Sequence, residues 1–217
     1  MGLTPIKTPR LVPKLFPNYV WKIETEKKEL YLTFDDGPTP DVTPWVLDTL
    51  KTFNAKATFF CIGKNVENHP DIFQSVLTEG HSVGNHTYNH LKGWQTKTPE
   101  YIENFLLAEK IIESKMRDKK SDLQKFFRPP YGQIKPQQGT KIMELGYKII
   151  MWDVLSFDWD KTVSEGICLN NVLSKSKPGS IIVFHDSIKA SQNMQYALPK
   201  VLEFFSKEGY TFNVIDA

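Results

Sequence analysis

Residues 33–40 read TFDDGPTP, a short apolar segment that ends in two adjacent carboxylates and a Gly-Pro turn. About fifty residues later, His86 and His90 stand four positions apart, so both side chains can face the same way on a helix or turn. One carboxylate and two imidazoles can hold a divalent metal with an open position, which is typical of a catalytic site. Either Asp35 or Asp36 could be the ligand, and the other is then free to act as a general base.

The overall composition is that of an ordinary globular protein. The chain has 217 residues, of which 40% are hydrophobic and 24% charged, and its length favours a single domain. Its 27 Lys and Arg residues and 25 Asp and Glu residues give a net charge of +2, which argues against a nucleic-acid-binding protein. Cys61 and Cys168 predict neither a disulfide framework nor a CxxC zinc site, and Cys61 fits a small buried apolar residue.

Residues 1–28 predict an irregular N-terminal arm that packs on a domain formed by residues 29–217. Prolines at positions 5, 9, 13 and 17 prevent a regular helix in the arm. The arm is basic but lacks the apolar stretch of a signal peptide, and no segment of the chain approaches the roughly 18 apolar residues of a membrane span. As written, the sequence therefore predicts a cytoplasmic protein, or a periplasmic or secreted one if it is part of a longer chain. The sequence leaves the oligomeric state open.

From residue 29 onward, apolar segments alternate with helical patterns. Candidate strands cover residues 30–34, 57–62, 81–84, 125–127, 147–152, 180–184 and 211–215. Between them, apolar residues recur at helical spacing and predict buried helix faces: Val46, Leu47, Leu50 and Phe53; Tyr101, Phe105, Ala108 and Ile112; Leu198, Val201, Leu202 and Phe205. Gly80, Gly146 and Gly209 stand where a helix-ending glycine belongs. This alternation predicts parallel βα units, arranged as a barrel or as a doubly wound sheet.

Unusual polar residues follow the predicted strands at their carboxyl ends. In chain order they are Asp35 and Asp36, His86 and His90, Arg128, Asp158 with Trp159, and His185 with Asp186. In a parallel α/β barrel, active sites are assembled from side chains at this end of the strands. The sequence therefore predicts one active site that draws on most of the strands.

Five motifs in order carry a resemblance to a known family: TFDDGPTP (33–40), HTYNH (86–90), RPPYG (128–132), SFDW (156–159) and VFH (183–185). On these motifs, residues 29–217 resemble the polysaccharide deacetylases of the NodB-homology type, carbohydrate esterase family 4. The resemblance implies a distorted, incomplete (β/α) barrel with about seven parallel strands. TFDDGP together with the histidine pair is the most specific part of the pattern.

The resemblance also implies roles for individual residues. Asp36, His86 and His90 would bind a divalent metal, with Zn²⁺ preferred and Co²⁺ or another divalent ion as alternatives, and Asp35 would be the catalytic base. Arg128 would support the Asp35 carboxylate, and Tyr131 would contribute its backbone N–H to the oxyanion. His185 would be the general acid, and Asp158 would orient it. Trp159 and Val183, where the family usually has leucine, would line the acetyl-methyl pocket. Trp94, Tyr131 and Trp159 are candidates for stacking on sugar faces.

These roles predict metal-dependent hydrolysis of N-acetyl groups on N-acetylglucosamine-type residues of a glycan, such as peptidoglycan or chitin oligomers, with release of acetate. A deformylase or other amidohydrolase acting on a small or lipid-linked sugar is an alternative, as is an acetyl-ester hydrolase. A non-catalytic glycan-binding module is a further alternative from a different class. Such a module would be expected to lack the base, a ligand or the acid, and all of these are present.

Overall fold

The computed structural model describes residues 5–116 and 124–216. The strands are β1 (Glu29–Asp35), β2 (Ala57–Cys61), β3 (Ser82–Asn85), β4 (Phe126–Phe127), β5 (Lys148–Ile149), β6 (Val154–Leu155), β7 (Ile181–His185) and β8 (Thr211–Phe212). The helices are α1 (Val12–Leu15), α2 (Val42–Thr52), α3 (Gly63–Asn68), α4 (Pro70–Thr78), α5 (Thr98–Lys115), α6 (Pro136–Glu144), α7 (Glu165–Lys175) and α8 (Ser191–Lys207). Short 3-10 turns cover Gly93–Gln95 and Pro130–Gly132.

The strands form one parallel sheet in the order β5-β4-β3-β2-β1-β7-β6, and β8 pairs with the first residues of β1. β1 is central, because β2 and β7 pair along its two sides. Six consecutive residues of β1, from position 30 to 35, are buried, as expected of a parallel strand that is covered on both faces. The predicted parallel α/β architecture is confirmed.

The sheet curls because its two edge strands are neighbours in the sequence. Six strand spacings would place β5 and β6 about 29 Å apart in a flat sheet. Ile149 ends β5 and Val154 begins β6, and five residue steps span at most about 18 Å. The sheet must therefore bend into the predicted incomplete barrel of seven parallel strands. The sequence did not predict β6, and the predicted strand 147–152 is shorter than expected, because residues 150–153 form the link between the two edges.

The N-terminal arm pairs with both edges of the curled sheet. Lys7 forms an antiparallel bridge with Val154 of β6, and Val20 forms a parallel bridge with Ile150, directly after β5. The Leu155 N–H donates to the Ile6 carbonyl at 2.8 Å. Since edge strands expose unpaired backbone donors and acceptors, the arm supplies partners that the sheet itself cannot provide. Within the arm, α1 is a single helical turn.

The outer helices bury the faces that the helical spacing predicts. Of those predicted residues, all are buried except Phe53, which is partly buried. The glycines at positions 80, 146 and 209 end helical segments with φ angles of 77°, 84° and 80°, which side chains with a Cβ rarely adopt. Both cysteines are free and buried, and burial was predicted for Cys61. Among the described residues, no helix combines the length and apolarity that crossing a bilayer requires.

Candidate active site

The carboxyl ends of the strands surround a cavity of about 570 Å³. It is lined by most of the residues predicted to form the site: Asp35, Asp36, His86, His90, Tyr131, Trp159, Val183 and His185. Arg128 and Asp158 are buried behind this lining and contact it through hydrogen bonds. Trp94 is not among the lining residues; its side chain is 63% exposed and its indole N–H donates to the Ile134 carbonyl.

Asp36, His86 and His90 bring one carboxylate and two imidazoles together. The Oδ1 atom of Asp36 lies 3.2 Å from Nε2 of His90 and 3.8 Å from Nε2 of His86. This oxygen is buried, yet it has no hydrogen-bond partner, which is a costly state for a carboxylate oxygen. Among the residues that the structure describes, this is the one group of His, Cys, Asp and Glu side chains arranged to hold a metal ion. The donor set fits a divalent metal such as zinc.

The surroundings of the two imidazoles favour their neutral form and, for His86, fix the orientation of the ring. Nδ1 of His86 lies 2.7 Å from the Arg128 carbonyl, so the ring donates its proton there and directs Nε2 towards Asp36. Burial lowers the pKa of His86. Burial, together with the nearby His86, lowers the pKa of His90 to about 4. The neutral form, which is the form that binds metals, is therefore favoured for both residues.

The second carboxylate of the pair, Asp35, is held by Arg128. Nη1 of Arg128 donates to Oδ1 of Asp35 at 2.7 Å and to the Thr33 hydroxyl at 2.6 Å. The other guanidinium nitrogens donate to the carbonyls of Ile150 and Met151. Arg128 is completely buried, so these bonds compensate for its desolvation. Asp35 thus has a fixed orientation and a permanent positive partner.

His185 and Asp158 form a third unit across the cavity. Nδ1 of His185 lies 2.8 Å from Oδ1 of Asp158, and the other oxygen of Asp158 accepts the backbone N–H of His185 at 2.7 Å. Burial alone would lower the pKa of His185, but the charge and hydrogen bond of Asp158 outweigh it and raise the pKa to about 9. The ring of Trp159 packs edge-on against His185 with centroids 4.8 Å apart. His185 is therefore held in its charged, protonated form at neutral pH.

Tyr131 and an apolar pair, of which only Val183 was predicted, form a further part of the lining. Tyr131 has a φ of 58°, its side chain is 56% exposed, and its ring centroid lies 4.6 Å from that of His90. Val183 of β7 and Leu155 of β6 are in register on neighbouring strands and both line the cavity. Leu155 was missed in the sequence because its strand is only two residues long.

Asp186 is a buried residue whose contribution the sequence alone does not reveal. Its carboxylate accepts the Gly37 N–H at 3.0 Å and the Thr43 hydroxyl, and it therefore fixes the turn that follows Asp36. Burial raises the pKa of Asp186 to about 7. A Cβ at position 37 would lie only 1.9 Å from Oδ2 of Asp186, so the glycine of TFDDGP is required by this contact.

Comparison with known proteins agrees with this geometry. The family model described as "Polysaccharide deacetylase" matches residues 22–150. The chain belongs to the polysaccharide deacetylase family. A peptidoglycan-N-acetylglucosamine deacetylase of Bacillus cereus is 38% identical over 195 residues, which cover 89% of this chain and 69% of that protein. The peptidoglycan-N-acetylmuramic acid deacetylase PdaA of Bacillus subtilis is 32% identical over 194 residues, which cover 88% of this chain and 72% of PdaA.

A solved structure shows how closely this deacetylase follows the family fold. The crystal structure of a peptidoglycan N-acetylglucosamine deacetylase in complex with 4-naphthalen-1-yl-N-oxidanyl-benzamide superposes with a TM-score of 0.86. The two chains are 36% identical, and the match covers 96% of this chain and 95% of the other. The distorted barrel and the membership of carbohydrate esterase family 4 are confirmed. The family is metal-dependent, and the Asp36, His86 and His90 cluster is a possible site for that metal.

Proposed function

We propose that this deacetylase hydrolyses the N-acetyl groups of N-acetylglucosamine-type residues in peptidoglycan strands and releases acetate. The observation that carries the proposal is the unpaired, buried Oδ1 of Asp36 facing two neutral imidazoles. A candidate base and a charged candidate acid line the same cavity. The names of the relatives support peptidoglycan as the substrate class.

Asp36, His86 and His90 are proposed to hold the metal, and zinc is the preferred ion for this donor set. A divalent cation bound there would polarise the amide carbonyl and acidify water. Cobalt is an alternative ion with similar ligand preferences.

Two side chains of the protein are proposed to transfer the protons of the hydrolysis reaction. Asp35 is proposed to accept a proton from the attacking water; Oδ1 is bonded to Arg128, so the proton is taken up at Oδ2. His185 is proposed to donate a proton from Nε2 to the departing amine, because Asp158 occupies its Nδ1.

Two further contacts are proposed for the acetyl group. The Tyr131 backbone N–H is assigned to the oxyanion by family resemblance. Trp159, Val183 and Leu155 are positioned to enclose the acetyl methyl group and exclude water.

Removing one imidazole should abolish metal binding and activity together. In His86→Ala, two ligands remain, which is too few for a catalytic zinc site. We expect loss of the bound metal, measured by mass spectrometry of the purified protein, and loss of acetate release from peptidoglycan and N-acetylglucosamine oligomers. His69→Ala is the matched control, since His69 lies outside the cavity lining. A metal-free His86→Ala protein with normal activity would contradict the metal-dependent mechanism.

The pH profile should report on His185. Since its pKa is raised to about 9, the proton donor is present at neutral pH and is lost as the pH rises through that value. We expect kcat to fall on the alkaline side near this pKa. Asp158→Asn should move the alkaline limb to lower pH, because the partner that raises the pKa has lost its charge. His69→Gln should leave the limb unchanged, and an unshifted limb in Asp158→Asn would argue against His185 as the acid.

Acetyl esters are a second class of substrate that the proposed machinery could cleave, since an ester is easier to hydrolyse than an amide. The assay should therefore compare peptidoglycan, chitin oligomers, acetylated xylan and small or lipid-linked amino sugars, with and without chelator. Acetate release from acetylated xylan without release from peptidoglycan, or faster turnover of a small amino sugar than of peptidoglycan, would overturn the proposed substrate. Turnover of peptidoglycan also implies a location with access to the cell wall, so the cytoplasmic location predicted from the sequence is an alternative that fractionation of cells would test.

A further inference from the structure

Three large apolar side chains in the arm point into solvent around the single turn of α1. Leu11 and Leu15 are each 63% exposed, and Phe16 is 48% exposed. Exposed single hydrophobic residues are common on protein surfaces, but three within six residues form a patch that water solvates poorly. Arg10, Pro13 and Lys14, which alternate with these apolar residues along the segment, line an adjoining groove of about 930 Å³.

The groove beside this patch is strongly basic. Five cationic residues line it against two acidic ones, Glu24 and Asp153. The difference, 5 − 2, gives the groove a charge of +3, whereas the whole chain has a net charge of only +2. Lys7 pairs with Asp153, and Lys22 pairs with Glu24. The cations without an ion pair, counted over residues 5–116 and 124–216, are Arg10, Lys14 and Lys177.

We propose that this arm surface, formed by residues 10–16 and Lys177, docks the protein on an anionic lipid bilayer. Apolar side chains that project beside unpaired cations are typical of segments that lie in the membrane interface. The cations are attracted by anionic headgroups, while the leucines and the phenylalanine enter the acyl boundary. A soluble polyanion would satisfy the cations but would leave the apolar patch in water. The two features together therefore favour the bilayer.

Lys177, on one side of the groove, and His185, in the catalytic cavity, lie at opposite ends of β7. Lys177 and Pro178 line the groove and lie a few residues before β7 begins at Ile181, whereas His185, which lines the cavity, is the last residue of β7. Docking through the arm surface thus leaves the mouth of the cavity free to receive a glycan chain. The inference concerns where the protein is held, and it does not depend on which reaction the cavity performs.

The test is co-sedimentation of the full chain with vesicles of phosphatidylglycerol mixed with phosphatidylcholine, and with vesicles of phosphatidylcholine alone. We expect binding to the anionic vesicles that weakens with added salt. The variant Leu11→Ser/Lys14→Glu/Leu15→Ser should reduce the partition coefficient at least about tenfold. The matched control Leu106→Ser/Leu107→Ser/Lys110→Glu makes the same three changes at exposed positions of α5 and should bind normally.

Both variants should keep full activity on soluble oligosaccharides, which shows that they are folded. Absence of binding to anionic vesicles would overturn the inference, and so would an equal loss in the control variant. Competition with soluble polyphosphate tests whether the surface binds any polyanion instead of a bilayer. If Leu11→Ser/Leu15→Ser binds vesicles like the parent protein, and polyphosphate competes fully, the surface binds polyanions through its cations alone and the bilayer proposal is wrong.

Discussion

Replacing Asp35 by asparagine is expected to lower kcat by about 10²–10⁴-fold, the usual contribution of a general base, while the bound metal remains. Asparagine has the shape of aspartate, and its carbonyl oxygen can still accept the hydrogen bond from Arg128. It has no basic oxygen to take up a proton. The three groups proposed to bind metal are untouched, so the metal content should stay at the level of the parent protein.

The measurement is acetate release under saturating substrate, combined with the metal content of the same sample. Asp48→Asn is the control, because Asp48 is an exposed aspartate on α2. A thermal unfolding curve should accompany the assay, since the change also removes the charged partner of a buried arginine. If Asp35→Asn turns over substrate like the parent protein, Asp35 is not the base.

The second large effect is expected on stability: Arg128→Met should lower the free energy of unfolding by about 3–5 kcal/mol. The guanidinium is completely buried and bonds Asp35, Thr33 and two backbone carbonyls. Methionine fills much of the space but leaves a buried carboxylate without a positive partner. Denaturant unfolding of the metal-free protein measures the change, and Lys125→Met, at a half-exposed lysine just before β4, is the control.

A double variant separates charge from packing. Arg128→Met/Asp35→Asn has no uncompensated buried charge, so it should recover part of the stability that Arg128→Met loses. If the double variant is no more stable than the single one, the loss comes from packing and from the unbonded carbonyls. The ion pair would then contribute little to the fold.

The sequence predicts the site far better than it predicts the edges of the sheet. Asp35, Asp36, His86 and His185 stand out because titratable residues directly follow apolar strands, and strand ends of a parallel sheet meet at one face. Val154 and Leu155 could not be recognised as a strand, because two residues show no periodicity. The pairing of the arm with β5 and β6 uses backbone groups, which every sequence contains.

Contacts between residues that are distant in the sequence could not be predicted from the sequence either. Asp186 resembles any polar residue after a strand, and only the folded chain places it against Gly37 and Thr43. Trp94 was predicted to stack on sugars from its residue type alone, and the structure places it outside the cavity lining. Its role in substrate binding stays a prediction. The roles of the other site residues likewise await the variants described above.

The pairing of the arm with both sheet edges also orders the events of folding. The arm precedes its partners at Ile150 and Val154 by more than a hundred residues, so it is synthesised well before they are. The contact between β1 and β7 is similarly distant, and such non-local contacts form slowly. Asp36 and His90 can approach one another well before His185 has left the ribosome. The proton donor is therefore expected to join the site last, and the arm to settle only after both edge strands exist.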